Sequence, residues 1–306
     1  VMGGWMLETV VKPNAPVPGP EEQKEKVDSP FREALRSFKK NKLAIIGTLI
    51  ILLFIILALL APLIRPEGYN HQLLADRLKP PSSAHWFGTD DFGRDILTRI
   101  LYGARISLWV GFVSVVGAIV AGTFLGILAG YYGKTVDMII SRIFDIMLAF
   151  PSILLAIAIV AILGPSLQNA LIAIATVNVP NFGRLVRSKV LSLKEEEFIV
   201  AARAIGMRDA RILFYHILPN SLAPIIVQGT LSIATAILDA AALGFLGLGA
   251  QPPQPEWGRM LSDSREYITN APWTVLFPGL AIGLTVLGFN LFGDGMRDAL
   301  DPRMKK

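Results

Sequence analysis

Residues 43–64 carry no charged side chain over 22 consecutive positions. At 1.5 Å per residue, a helix of that length crosses a hydrocarbon core about 30 Å thick. A second uncharged run covers 106–133, and a third covers 146–183, whose 38 residues are too many for one crossing. Gly164-Pro165-Ser166 falls where a turn would divide that run, and the third span can begin near Ile139, which gives spans at 139–163 and 167–184. Further spans follow at 221–249, interrupted by Asp239, and at 271–293. The pattern predicts an all-α integral membrane protein with six transmembrane helices. Composition agrees: 17% of the residues are charged and 53% hydrophobic, with a mean hydropathy of +0.52, where a soluble domain carries about a quarter charged residues.

An even number of spans puts both termini on one side. That side holds 21 of the 29 Lys and Arg residues and the other side 8, so the positive-inside rule predicts cytoplasmic termini and a multi-pass protein of the cell (inner or plasma) membrane. The net charge of +5 and pI near 9.5 then reflect cytoplasmic loops, with no call for nucleic acid. Residues 1–30, with Pro13, Pro16, Pro18 and Pro20 ahead of a charged run, predict a flexible cytoplasmic tail. They lack an apolar signal-peptide core, and the Val1 start suggests a trimmed or partial chain. Residues 31–105 supply the first span and an extracytoplasmic loop, which ends in a short amphipathic helix over 94–105. Residues 106–297 supply a core of five spans, and 298–306 a cytoplasmic terminus.

Several kinds of chemistry are excluded. There is no cysteine, and three scattered histidines have no metal-ligand spacing. Gly133-Lys134-Thr135 superficially resembles a phosphate loop, but Leu128 stands where that motif needs a glycine and the preceding segment is a span, not a strand. No catalytic residue, cofactor or metal site is expected in the chain. Gly244, Gly247 and Gly249 predict close helix packing or a break at the outer end of the fifth span.

The most informative segment is 194–219, a cytoplasmic loop between two spans. Phe198, Ile199, Ala202 and Ile205 recur at helical spacing as one apolar face, Ala201 and Ala202 keep that helix slim, and Gly206 permits a tight turn. A second helical pattern runs over 209–217 and ends at Pro219, where the fifth span begins. Pattern alone leaves two alternatives, an interfacial helix resting on lipid or a docking helix for another protein.

Ala201-Ala202, Gly206 and Leu218-Pro219 resemble the EAA loop of ABC importer permeases, with Val200 in place of the name-giving Glu and His216 in place of the usual Ile. The resemblance extends over roughly 31–303. Lys39-Lys40-Asn41-Lys42-Leu43-Ala44, Phe87-Gly88-Thr89-Asp90, Gly103-Ala104-Arg105-Ile106-Ser107-Leu108, Phe245-Leu246-Gly247-Leu248-Gly249 and Asn290-Leu291-Phe292-Gly293-Asp294 are similar to the second ("C") permease of dipeptide, oligopeptide and nickel importers. It implies the type I (MetI-like) permease fold. It also implies pairing with a homologous second permease, two ATPase subunits that carry ATP and Mg, and an extracytoplasmic substrate-binding protein. Ala201, Ala202, Gly206, Phe198, Ile205 and Pro219 would couple the spans to the ATPase. Short peptides are the implied cargo, with nickel complexes or oligosaccharides as alternatives.

Charged residues inside spans must face protein or water. Asp145, with Arg142 three residues earlier as its expected partner, reads either as a gate or as a pair that fixes helix packing. Asp239 has no partner visible in sequence, and Asn290 is a polar residue able to bond across helices; with Asp145 and Arg142 they are the candidates for lining a pathway or gate. Trp86, Trp257 and Trp273 lie beside span ends, where interfacial anchoring is expected. A stand-alone secondary transporter would need charges in series or inverted repeats, and neither is present.

Overall fold

The structure, a computed structural model, describes residues 30–300; the expected tail ahead of Pro30 and residues 301–306 of the expected terminus fall outside that range. Eleven α-helices make up the described residues: α1 (Pro30–Lys40), α2 (Lys42–Ile64), α3 (Ile96–Tyr132), α4 (Lys134–Leu148), α5 (Ser152–Leu163), α6 (Leu167–Leu193), α7 (Glu197–Ala204), α8 (Asp209–Ile212), α9 (Leu218–Phe245), α10 (Trp257–Ser264) and α11 (Trp273–Leu300).

Helices α3 and α6 pack as the central pair. Gly122, Gly126 and Gly130 form a small-residue stripe at four-residue spacing on α3, and a Cβ on any of them would come within 2.8 Å of Phe182, Gly183 or Val190 on α6. Where lipid offers no hydrophobic drive between helices, such close backbone approach is what holds them together. Gly183 in turn accepts the buried Phe144 ring of α4. Against this pair α9 completes a core of Val110, Val115, Ala118, Ile174, Phe182 and Ala236. Helix α2 covers α11 through Gly47 and Gly288 and leaves Leu49, Leu53, Leu59 and Leu63 exposed on its outer side. Several hydroxyls and amides within these helices bond back to their own chain, as Ser114 does to Val110 O at 2.5 Å and Asn178 to Ile174 O at 2.9 Å, which satisfies them where water is absent; the buried hydroxyls of Thr123 and Thr285 have no such partner among the described residues.

Among the described residues four helical segments are long and apolar enough to cross a membrane: Lys42–Ile64, Ile96–Tyr132, Asp209–Phe245 and Trp273–Leu300. The expectation of six spans is met only that far. The straight third span expected over 139–163 is two helices bent by 96° at 149–151, because Pro151 blocks helical continuation. The 12 residues of α5 reach only about 18 Å, and the bent pair counts as at most one span. Helix α6 is 27 residues long, but Gln168, Asn169, Asn178, Asn181 and Arg184 dilute its apolar surface. The short amphipathic helix expected over 94–105 is instead the start of α3. Asp95 caps that helix by accepting from Thr98 N at 2.8 Å, and nothing in the sequence breaks it before Gly133.

The segment between α2 and α3 is irregular yet fixed. Leu78 N donates to Asp90 O at 3.0 Å, Trp273 Nε1 to Thr89 O at 3.2 Å, and Tyr102 Oη to Arg65 O at 3.0 Å. Trp257 is not an interfacial anchor as expected. It is fully buried, donates to Ile100 O at 3.1 Å, and stacks edge-on against Phe54.

Candidate functional site

Helix α7 lies between the ends of α6 and α9 and is closed by a glycine turn. Gly206 has φ +78° with nothing within 4 Å of a would-be Cβ. The left-handed backbone, not crowding, is therefore what requires glycine. Met207 N donates to Ala202 O at 3.0 Å and Gly206 N to Arg203 O at 2.9 Å, the paired bonds of a Schellman cap. The chain then re-enters a helix through a π-turn at Leu213–Ile217. Pro219 lacks an N–H to donate and its ring crowds the carbonyl four residues back, and the wider π-turn makes room for it. Asn220 and Ser221 side chains bond to His216 O at 2.6 Å and Ile217 O at 2.8 Å.

The single apolar face expected of Phe198, Ile199, Ala202 and Ile205 divides in two. Ile199 and Ala202 point inward, into a core with Val186, Val190, Ile212, Ile217 and Tyr131. Ala202 is only 6% exposed and so packs inside the loop, where the sequence alone placed it on a surface for a partner. Ile205 is 79% exposed, and Phe198, Val200 and Ala201 also face outward. Pro219 is exposed as well. Three positions separate Ile199 from Ala202, so one side of a two-turn helix faces the span ends and the opposite side must face away. Glu195, Glu196 and Glu197 flank the exposed apolar patch at one end, and Arg208 and Arg211 at the other.

The four residues proposed for a pathway or gate are not brought together; no hydrogen bond or ion pair joins them among the described residues. Arg142 is not the partner of Asp145. Arg184 reaches across from α6 to Asp145 at 2.5 Å, and both side chains are about half exposed. Asp239 is partly buried on α9 and has no donor or cation in contact. Asn290 is exposed on α11 and makes no side-chain hydrogen bond.

Three features escaped sequence reasoning. Arg187 of α6 grips Asp137 of α4 through two nitrogens, one at 2.6 Å. At the opposite end of the molecule, Asp90, Arg94 and Arg99 are all buried, with Arg94 Nε 2.7 Å from Asp90 Oδ2. Nearby Glu256 is also buried and caps α10 by accepting from Gly258 N and Arg259 N at 2.9 and 2.8 Å. Burial pushes the Glu256 carboxyl above the usual range, against those bonds. Local spacing was the visible signal for the second and third features, Asp90 to Arg94 at four residues and Glu256 to Gly258 and Arg259 at two and three; Asp137 and Arg187 lie 50 residues apart. No group of three or more His, Asp or Glu residues is placed to hold a metal ion among the described residues.

A bundle of apolar helices around a small-residue seam, with a glycine-capped helix exposed at one end, defines an integral membrane subunit. The chain belongs to the family of binding-protein-dependent transport system inner membrane components, whose family model matches residues 122–306; a second, the N-terminal transmembrane domain of oligopeptide transport permease C, matches 29–81. It is 70% identical over 294 residues to the dipeptide transport system permease protein DppC of Alkalihalophilus pseudofirmus, covering 96% of each chain. It is 50% identical over 283 residues to the di/tripeptide transport system permease protein DppC of Pseudomonas aeruginosa, covering 90% of this chain and 93% of that one. Identity is also 50% over 280 residues to the glutathione transport system permease protein GsiD of Pectobacterium atrosepticum, covering 91% and 93%. Among solved structures, a chain of the inward-facing MetNI methionine ABC transporter superposes with a TM-score of 0.53 at 21% identity, over 66% of this chain and 96% of that chain. The fold is the type I importer permease fold.

Proposed function

We propose that this chain is the permease subunit of an ATP-driven importer that carries short peptides delivered by an extracytoplasmic binding protein. It pairs with a homologous second permease, and two ATPase subunits bind ATP and Mg and dock on segment 194–219. The observation that carries the coupling role is the exposed patch of Phe198, Val200, Ala201 and Ile205, held rigid by the Gly206 cap and by the core beneath it. Helices that rest on lipid carry mainly Lys and Arg beside their apolar face, whereas three glutamates flank one end of this one. The names of the 70% and 50% identical relatives support peptides as cargo. In this arrangement α6 counts as a span despite its polar residues, because Asn178 is satisfied internally and the others can face the second permease; with the bent α4–α5 pair that makes six crossings and puts both termini in the cytoplasm.

Two measurements test this. Affinity purification of the chain from its native membrane should bring ATPase subunits with it, and the assembled complex with its binding protein in proteoliposomes should take up labelled dialanine only with ATP. A chain that purifies without ATPase subunits, or that transports without ATP, sinks the proposal. Topology is checked with single cysteines at Ser83, Ser192 and Ser262 in this cysteine-free sequence. An impermeant thiol reagent added outside intact cells should label positions 83 and 262 and spare 192.

A further inference from the structure

We infer that Asp239 is the counter-charge that holds the α-ammonium group of a peptide in transit, an inference that rests on the peptide cargo proposed above. Asp239 lies within a candidate span, six residues before the end of α9, and within the described residues it has no ion pair or hydrogen bond. A carboxylate at that depth does not face lipid, so its partner comes from water, another subunit or cargo. The pattern of burial on α9 decides where it points. Ile225, Gly229, Ser232, Ala236, Ala240 and Leu243 are buried against the rest of the chain, whereas Thr235, Leu238 and Phe245 are exposed and Asp239 and Ala242 partly so. These five positions form one stripe along the helix, the least covered part of this stretch of α9.

That stripe runs into a cavity of about 490 Å³ at the end of the molecule away from α7, lined by Phe245 and Leu246 of the helix terminus and, among charged residues, by Asp91, Asp263 and Glu266 with Arg259 and Arg265. Leu246 lies seven residues beyond Asp239, two helical turns or about 10 Å along the axis. The cavity carries both signs of charge, and Arg259 is paired with Asp263 at 2.9 Å. The span below it carries only the carboxylate. An extended chain covers at most about 3.5 Å per residue, so a tripeptide with its ammonium at Asp239 spans about 10 Å, to the level of Leu246 at the cavity, and a dipeptide about 7 Å, short of it. An ammonium presents three donors to a bare carboxylate in a charge-assisted bond, and the peptide enters amino terminus first.

The test uses the complete transporter in proteoliposomes with labelled dialanine. Asp239→Asn should lower uptake about tenfold or more, and Asp239→Glu should keep it within about threefold. A single cysteine from Ala242→Cys, on the same stripe three residues from an intact Asp239, should react with a cationic methanethiosulfonate added on the cavity side, and saturating dialanine should slow that reaction. Wild-type uptake by D239N, a thiol at 242 that never reacts, or a reaction that dialanine does not slow would each overturn the inference. So would loss of the second permease on purification of D239N, which identifies an ion pair between subunits. If the wild-type complex imports no dialanine, the peptide cargo itself fails, an outcome seen before any variant is made.

Discussion

The Tyr131 hydroxyl donates to Asp209 Oδ1 at 2.6 Å, and Arg203 lies over the same ring at 5.0 Å. Tyr131 ends α3, the longest helix of the central pair, while Arg203 and Asp209 stand on either side of the Gly206 cap. One aromatic residue thus ties both arms of the exposed loop to the helix that spans the molecule, so that a push on α7 reaches α3 directly. Replacing Tyr131 by Phe keeps the ring and removes the bond. A hydrogen bond to a charged group is worth about 1.5–3 kcal/mol. Y131F is expected to fold and to retain its ATPase partners, with uptake per ATP hydrolysed falling several-fold. An unchanged transport-to-hydrolysis ratio would show that Tyr131 serves stability alone.

The division of α7 into an inner and an outer side separates two substitutions that the sequence alone treats as equivalent. Ala201→Trp adds bulk to the exposed side. It should leave the thermal midpoint nearly unchanged and abolish ATPase association. Ala202→Trp adds bulk beside Ile199 and Ile212 and should cost about 1–3 kcal/mol by overpacking, read as a lower midpoint and loosened protease protection of the loop. Gly206→Val should also destabilise the turn, since a β-branched residue resists positive φ, whereas Gly206→Asn should be tolerated better. Equal effects of the two tryptophan variants on association and on midpoint would contradict the division.

Much of this organisation was legible because apolar runs and turn residues act locally. Residues 43–64 delimit α2 to within a residue, and Gly206 marks its own cap. What was hidden depends on contacts far apart in sequence. The true partner of Asp145 sits 39 residues away on α6, so the local choice, Arg142, failed. The inward side of α7 could not be told from the outward side, because Ile199 and Ile205 are equally apolar and only the third dimension supplies Tyr131 and Ile217. The bend at 149–151 has a local signal in Pro151, but the uncharged run from 146 to 183 continues through it without any change of composition.

Asp91 provides a pH signature outside the spans. Burial, with the neighbouring Asp90 carboxylate, raises its pKa above the ordinary aspartate value. A carboxyl whose folded pKa exceeds its unfolded pKa binds more protons in the folded state between those two values. Its contribution to stability is therefore complete below the unfolded value, about 3.9, and is lost as pH rises through the folded value. Asp91→Asn removes that loss. The gap in thermal midpoint between D91N and wild type, in favour of the variant, should widen as pH rises from about 4 and then level off. A gap that narrows over that range would reverse the assigned shift.

Two ion pairs join α4 to α6, and their settings rank them. Asp137 meets Arg187 through both guanidinium arms, with side chains 20% and 32% exposed, whereas Asp145 meets Arg184 with both about half exposed. Solvent screens the second pair, and exposed pairs contribute about 0–1 kcal/mol. The first combines bidentate geometry with partial burial, where charge-assisted bonds contribute about 1.5–3 kcal/mol. Because α4 and α5 meet at a sharp bend, Asp137–Arg187 is also the clamp that fixes α4 against the central helix pair. A double-mutant cycle with Asp137→Asn and Arg187→Gln should give a coupling energy larger than the cycle with Asp145→Asn and Arg184→Gln. The thermal midpoint of the purified complex should fall by several degrees for D137N and hardly at all for D145N. Raising the salt concentration should weaken the coupling between Asp145 and Arg184 more than that between Asp137 and Arg187, since salt screens exposed pairs more than partly buried ones. Equal couplings, or a larger one for Asp145 and Arg184, would place the clamp at the wrong pair.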